Sequence, residues 1–170
     1  AGTALIAKNL DVDINEFTTI KKHIIDLNIN LVLVGPEIPL INGIVDFLKN
    51  DPSLDHIHVI GPSKKGAKME GSKDFSKEFM LRNNIPTAPY KTFDKTSLSD
   101  GLDYLSKTNP PYVLKADGPA AGKGVLIVEN LEKAKEELTN MISNDKFGPS
   151  GSRVIIEGFL KGIEMSCFIL

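Results

Sequence analysis

The chain has 170 residues, enough for one domain or two small ones. Hydrophobic residues make up 41% and charged residues 25%, as in an ordinary soluble globular protein. The 20 Lys and Arg residues nearly balance the 22 Asp and Glu residues, and the net charge is −2. This balance excludes a general nucleic-acid or membrane-surface binder. No apolar run reaches the length of about 18 residues that a membrane span needs.

The single cysteine, Cys167, lies in an apolar run. One cysteine can neither close an internal disulfide nor form a zinc-binding cysteine cluster. We predict a buried, unreactive thiol and a reducing, cytoplasmic location. The sequence opens with Ala1-Gly2-Thr3 and closes in an apolar, strand-like run, which predicts a segment cut from a longer protein.

Predicted helices and strands alternate in the first third of the chain. Apolar residues at helical spacing predict a helix over 16–28, and the apolar run 31–34 predicts a buried strand that ends in a Gly-Pro pair. A helix over 40–48 follows, and then a strand over 58–60, again ended by Gly-Pro. This order predicts an open, parallel α/β sheet. Ligands of such sheets bind beyond the carboxyl ends of the strands, where both Gly-Pro loops lie.

The remainder of the chain has a different pattern. A helix is predicted over 72–83, and another after Ser97, which with Asp100 resembles a capping box. The strands 112–115 and 125–128 are joined by a segment too short for a crossover, so we predict that they pair antiparallel. The other predicted elements are a helix capped by Asn130 and two strands, 153–157 and 165–170.

The loop over residues 115–124 reads Lys-Ala-Asp-Gly-Pro-Ala-Ala-Gly-Lys-Gly. Small residues let the backbone approach a phosphate, glycines let N–H groups converge on an anion, and Lys115 and Lys123 supply positive charge. A Walker A loop does not fit, because three residues rather than four separate Gly118 from Gly122. A dinucleotide fingerprint does not fit either, because the loop opens no helix. Two interpretations remain: a flap over a phosphate, or a hairpin turn whose glycines serve conformation alone.

Three features follow one another along this part of the chain: a lysine on a strand, a Gly-rich hairpin loop, and a strand that ends in glutamate before an apolar hinge. This order resembles the ATP-grasp enzymes, and among them the phosphoribosylamine–glycine ligase family. The closer resemblance rests on motifs spread over the whole chain in family order: Val34-Gly35-Pro36-Glu37 with Pro39-Leu40, Gly61-Pro62-Ser63, Glu70-Gly71-Ser72-Lys73 followed by Phe75, Lys77 and Phe79, Ile85-Pro86-Thr87, the loop itself, Lys146-Phe147-Gly148, and Ile156-Glu157 with Phe159-Leu160. The family's opening phosphate loop and its later metal-binding Glu and Asn segment are not in this sequence.

The resemblance implies roles in ATP binding. Lys73 and Lys115 correspond to the lysines that reach the phosphates. The flap that closes over the phosphates corresponds to the loop of Gly118, Gly122, Lys123 and Gly124. Without the resemblance, Lys73 reads equally well as part of a solvated helix face.

Further roles concern the base, the sugar and the second substrate. Glu157 corresponds to the residue beside the adenine amino group, and Phe159 and Leu160 to the hinge that grips the adenine ring. Glu164 corresponds to the carboxylate that binds ribose hydroxyls, although its sequence context alone indicates a surface residue. The motif Gly35-Pro36-Glu37 would line the phosphoribosylamine site, and a plain strand-to-helix turn is the alternative.

The resemblance also implies an α/β architecture in which a partial open parallel sheet precedes ATP-grasp linker helices and an α+β lid. We expect a partial Rossmann-like substrate domain over 1–62 and the start of the ATP-grasp domain over 63–109. The lid with its Gly-rich loop would extend over 110–157, and the hinge with the first strand of the C-terminal part over 158–170. Two positions depart from the family pattern, Pro119 in place of leucine and Gly158 in place of an acidic residue.

The implied reaction is the ATP-dependent joining of glycine to 5-phosphoribosylamine through a glycyl phosphate, with release of ADP and phosphate, in de novo purine biosynthesis. The chain has no Ser/His/Asp or Cys/His arrangement, and we assign no catalytic residue. Mg²⁺ or Mn²⁺ would accompany ATP, with ligands outside this chain. The partners would be small substrates, not nucleic acid or membrane.

Two alternatives stay open. One is another ATP-grasp carboxylate–amine ligase, which the segment 35–40 disfavours because it matches the purine enzyme specifically. The other is a nucleotide-binding segment without catalysis, and we expect this chain to be inactive by itself.

Overall fold

The structure, a computed structural model, describes residues 2–120, 123–144 and 146–167. The chain divides into two compact units, residues 1–71 and 72–170. Each unit contains its own cluster of buried apolar side chains. None of the helices in the described ranges is both long enough and apolar enough to cross a membrane.

The first unit is a two-stranded parallel sheet with helices. Leu31 lies opposite His58 in the parallel pairing, which confirms the predicted α/β arrangement. The elements are α1 (Phe17–Asp26), β1 (Leu31–Leu33), α2 (Glu37–Asn42), α3 (Ile44–Lys49), β2 (His58–Ile60) and α4 (Lys64–Gly71), with 3-10 turns at Gly2–Leu5 and Pro52–Leu54.

The predicted helix over 40–48 is in fact two helices. Gly43 separates α2 from α3 with a φ of 96°, a left-handed conformation that side chains disfavour. Its N–H donates to the carbonyls of Pro39 and Leu40, which ends α2. The core beneath α3 consists of Ile24, Ile44, Val45, Leu48 and Leu54. Helix α4 was not predicted, because its sequence is mostly polar.

The second unit is a four-stranded antiparallel sheet with helices. The strands lie in the order β3-β6-β4-β5. Tyr112 lies opposite Val128, which confirms the predicted antiparallel hairpin. The elements are α5 (Lys73–Arg82), β3 (Tyr90–Asp94), α6 (Leu98–Ser106), β4 (Tyr112–Ala116), β5 (Val125–Val128), α7 (Leu131–Ser143) and β6 (Arg153–Glu157), with a 3-10 turn at Gly148–Gly151.

The two faces of this sheet differ in chemistry because side chains alternate along each strand. One face packs on α6 and α7 and is apolar, with a core of Phe93, Leu105, Leu114, Ala116, Ala134, Leu138, Met141, Val154 and Ile156. The alternate positions of the same strands carry Thr92, Lys115, Arg153 and Glu157. These four polar side chains are therefore gathered on the face away from α6 and α7.

Two local predictions are wrong. The first is the capping box at Ser97 and Asp100: Ser97 makes no side-chain cap bond, because the Asp94 carboxylate binds its hydroxyl and accepts from the N–H groups of Thr96 and Ser97. The second is burial of Cys167, which is exposed and lies in a segment without regular structure. The predicted strand over 165–170 is absent at 165–167, and its other residues lie outside the described ranges.

Candidate functional site

The first turn of α5 is joined to the end of β4 by a side chain that follows the strand. Ser72 caps α5 by accepting the N–H of Phe75 at 3.1 Å. Asp117, directly after β4, accepts the N–H of Asp74 at 2.9 Å and the Ser72 hydroxyl at 3.1 Å. The carboxylate lies at a helix N-terminus, where the helix dipole favours negative charge. These bonds fix the start of the Gly-rich loop relative to α5.

Lys73 lies at the same junction. Its ammonium donates to the carbonyl oxygens of Ala116 at 2.8 Å and Gly118 at 3.3 Å. Those carbonyls belong to the end of β4 and the start of the loop, so the Lys73 charge lies at the loop's base.

Arg153 compensates the two carboxylates of this junction. It forms an ion pair with Asp74, and its Nη1 lies 3.7 Å from Asp117 Oδ2. The Thr92 hydroxyl donates to Asp74 from β3. The sequence analysis missed these four residues. Two features of the sequence could have indicated them. Thr92 and Arg153 are each followed by an apolar residue in β3 and β6, and the acidic residues Asp74 and Asp117 directly follow Lys73 and the last residue of β4.

The second cluster joins two lysines to one glutamate. Glu157 ends β6, and Val113 lies opposite it, so Lys115 is its diagonal neighbour on β4. Lys115 forms an ion pair with Glu157 Oε1. Lys77 follows Lys73 by one helical turn, and its ammonium nitrogen lies 2.7 Å from Glu157 Oε2. The Glu157 side chain is only 7% exposed, so the pairs are largely removed from water.

The pKa of Glu157 reflects two opposing effects. Burial by itself raises the pKa of this carboxyl, but the ammonium groups of Lys115 and Lys77 outweigh burial and hold the pKa below its usual range. Glu157 Oε2 receives no hydrogen bond with good geometry from any described residue, so its contact with Lys77 is an electrostatic pairing. The carboxylate is therefore ionised and held by charge.

The Gly-rich loop is closed by backbone contacts. Ala116 donates its N–H to the Gly124 carbonyl at 2.8 Å, and Lys123 donates to Ala120 at 2.8 Å. A Cβ on Gly118 would lie 2.8 Å from Ser150 Oγ, and one on Gly124 would lie 2.7 Å from the Ala120 Cβ. Both glycines are thus required by close approach. The Lys123 side chain is exposed, and Gly122 lies outside the described residues.

Within the second unit, the remaining candidates lie outside these two clusters. Phe159, Leu160 and Glu164 follow β6 in a segment without regular structure, and all three are exposed. In the first unit, Gly35 and Pro36 lie between β1 and α2, and Glu37 is the first residue of α2. All three are exposed.

The residue set of the second unit fits a polyanion. Lys73 donates to carbonyls at the base of the loop, and Lys115 and Lys123 belong to the loop segment itself. The described ranges hold no group of three His, Cys, Asp or Glu side chains that could hold a metal ion.

Solved structures are similar to this chain in fold. The chain superposes on phosphoribosylamine–glycine ligase from Thermotoga maritima with a TM-score of 0.71 and 28% identity, over 96% of this chain and 37% of that one. It also superposes on D-alanine–D-alanine ligase from Bacillus anthracis with a TM-score of 0.64 and 22% identity, over 90% and 45% of the two chains. The second likeness concerns fold alone. The fold is that of the ATP-grasp ligases.

Family models and relatives narrow the class. The model described as "Phosphoribosylglycinamide synthetase, N domain" matches residues 1–70, and its "ATP-grasp (A) domain" matches 71–170. The chain belongs to the phosphoribosylglycinamide synthetase family. It is 41% identical to phosphoribosylamine–glycine ligase of Haemophilus influenzae and 42% identical to that of Pseudomonas putida over its whole length. It spans only 39% and 38% of these relatives. The resemblance seen in the sequence is thereby confirmed.

Proposed function

We propose that this chain is the substrate- and ATP-binding part of a ligase that joins glycine to 5-phosphoribosylamine. The observation that supports it most is the match of both family domains end to end. In the proposed reaction, a glycine carboxylate oxygen attacks the γ-phosphorus of ATP, giving glycyl phosphate and ADP. The phosphoribosylamine nitrogen then attacks the acyl carbon and displaces phosphate. The product is glycinamide ribonucleotide, an intermediate of purine biosynthesis.

The chain's own residues would bind and orient ATP, without a covalent intermediate on the protein. Lys115 and Lys73 would neutralise charge on the phosphates, and the loop from Gly118 to Gly124 would cover them with backbone N–H groups. The Lys73 ammonium at the base of the loop supports the role of that lysine, and the place of Lys115 on the strand that leads into the loop supports its role. Gly122 and Lys123 complete the proposed flap.

The other site assignments are part of the same proposal. Glu157 would face the adenine amino group, Phe159 and Leu160 the adenine ring, and Glu164 the ribose. In the first unit, Gly35-Pro36-Glu37 would line the phosphoribosylamine site, and its position after a parallel strand supports this role. The proposed domain boundaries remain those predicted from the sequence, at residues 62, 109 and 157.

Mg²⁺ or Mn²⁺ would be held by residues outside this chain, and we assign no step to it. The proposed location is the cytoplasm, with small-molecule partners only. A nucleotide-binding segment inactive by itself is the second candidate for these 170 residues, because they cover about two fifths of the relatives' length.

The test uses a protein that carries this chain together with the remaining segments of its relatives, hereafter the full-length protein. We expect release of ADP that requires both glycine and phosphoribosylamine, with glycinamide ribonucleotide detected by mass spectrometry. Lys107, exposed at the C-terminal end of α6, provides the control: Lys107→Ala should retain the rate. ATP binding without ADP release would favour the binding module, and ADP release with a different amine or acid would favour another ligase.

A further inference from the structure

The three charged groups at the end of β6 differ in how firmly they are held. Lys77 donates to Thr87 Oγ1 at 2.8 Å and to the Ala88 carbonyl at 3.3 Å, in addition to its pairing with Glu157. Thr87 and Ala88 take two of the three N–H groups of the ammonium, and the pairing with Glu157 adds an electrostatic contact. The Lys77 side chain is 12% exposed, against 29% for Lys115. Lys77 is therefore the fixed partner of Glu157, and Lys115 the accessible one.

Charge balance makes this difference important. A carboxylate that is 7% exposed must keep an opposite charge beside it, because removal of its partner leaves an uncompensated buried charge. If Lys115 were the sole partner of Glu157, binding of a phosphate to Lys115 would leave the Glu157 carboxylate buried without a counterion. With Lys77 in place, Glu157 stays neutralised when Lys115 moves.

We propose that Lys77 is a positioning residue of the nucleotide site: it stays paired with Glu157 while Lys115 exchanges Glu157 for a phosphate oxygen. The inference rests on the proposed function, since it requires that a nucleotide binds beside Lys115. Glu157 thus acts as a counterion that holds Lys115 in place until the ligand arrives. Lys77 touches neither the phosphates nor the reacting atoms and acts only through Glu157.

The test is a double-mutant cycle on ATP affinity in the full-length protein. Lys77→Met should raise the dissociation constant of ATP about tenfold or more, which corresponds to about 1.4 kcal/mol, because Lys115 becomes the sole counterion of Glu157. In the Glu157→Gln background, position 157 is neutral and needs no counterion. There, Lys77→Met should change the dissociation constant less than about twofold. Lys107→Met is the matched control and should have no effect in either background.

A merely structural role for Lys77, holding the turn at Thr87 and Ala88, would weaken binding equally in both backgrounds, and that result would overturn the proposal. So would an unchanged affinity for Lys77→Met. If the wild-type protein binds no ATP, the proposed function fails together with this inference, whereas the two preceding results leave the proposed function intact.

A measurement on the wild-type protein avoids variants that fail to fold. The side-chain ammonium resonances of ¹⁵N-labelled lysines are followed as ATP is added. We expect the Lys115 resonance to shift on saturation and the Lys77 resonance to stay within the spread of control lysines such as Lys107. Equal shifts of Lys77 and Lys115, or a shift of Lys77 alone, would contradict the exchange.

Discussion

Asp117 accepts a hydrogen bond from the backbone N–H of Asp74, with 2.9 Å between the oxygen and the nitrogen. The bond joins the residue after β4 to the first turn of α5, so the Gly-rich loop begins from a helix end rather than from a free strand end. Lys73, between Ser72 and Asp74, donates to carbonyls of the same segment. The junction is therefore held by a side chain that follows β4 and accepts from the backbone of α5, and by a side chain of α5 that donates to the backbone around the end of β4.

The first prediction concerns this junction. Asp117→Ala should lower the free energy of unfolding by about 1–2 kcal/mol, because the first turn of α5 loses an acceptor at its N-terminus. Asp117→Asn should cost less, because an amide oxygen still accepts. Urea titration of this chain measures the change, and Asp103→Ala, at an exposed position of α6, is the control. Equal stability of Asp117→Ala and wild type would show that the junction does not depend on this carboxylate.

The second prediction concerns close approach in the loop. Gly124→Ala should destabilise the chain by about 1–3 kcal/mol, because a new Cβ would lie 2.7 Å from the Ala120 Cβ and 3.2 Å from the Ala116 Cβ. Gly162→Ala is the matched control, because a Cβ there meets no atom within 4 Å. Thermal melts of the two variants measure the difference. Indistinguishable melting temperatures would mean that the loop relaxes without cost.

The third prediction concerns pH. The lysines hold the pKa of Glu157 below its usual range in the folded chain, whereas an unfolded glutamate titrates near about 4.3. The contribution of this group to stability is therefore complete above the unfolded pKa and is lost as the pH falls through the folded pKa. Wild type should lose stability on acidification below about pH 4.5 more steeply than Glu157→Gln does.

Urea titrations at a series of pH values measure this slope. Glu132→Gln removes a carboxylate whose side chain is 80% exposed and should leave the slope unchanged. Parallel curves for wild type and Glu157→Gln would show that the folded pKa of Glu157 is not lowered.

The sequence predicted those elements whose apolar residues form a run or a helical stripe. The strands at 112–116 and 125–128 are of this kind, because the first contains Val113 and Leu114 and the second consists of four aliphatic residues. Strand β3 was missed because Tyr-Lys-Thr-Phe-Asp has one buried side chain, Phe93, and because its partners in β6 lie 59 to 67 positions away in the sequence.

The candidate site was predictable in its residues but not in its pairings. Lys115 and Glu157 were both identified through the family resemblance, yet nothing local indicates that they pair. Their contact follows from the register of β4 and β6, in which Val113 lies opposite Glu157. Lys77 was noticed only as part of a motif, because its partners Thr87 and Glu157 are fixed by tertiary structure.

The central claim is that Lys115 and the loop beside it bind the phosphates of ATP. The most direct measurement is the melting temperature of the full-length protein with and without Mg-ATP, for wild type, Lys115→Ala and Lys107→Ala. Lys115→Ala should lower the ligand-free melting temperature somewhat, because Glu157 loses a partner, so the comparison is made on the ATP-induced shift. ATP at about a hundredfold excess over its dissociation constant should stabilise wild type and Lys107→Ala by about 2.7 kcal/mol. Lys115→Ala should lose most of this shift; a full ATP shift in Lys115→Ala would contradict the assignment and favour a loop whose glycines serve conformation alone.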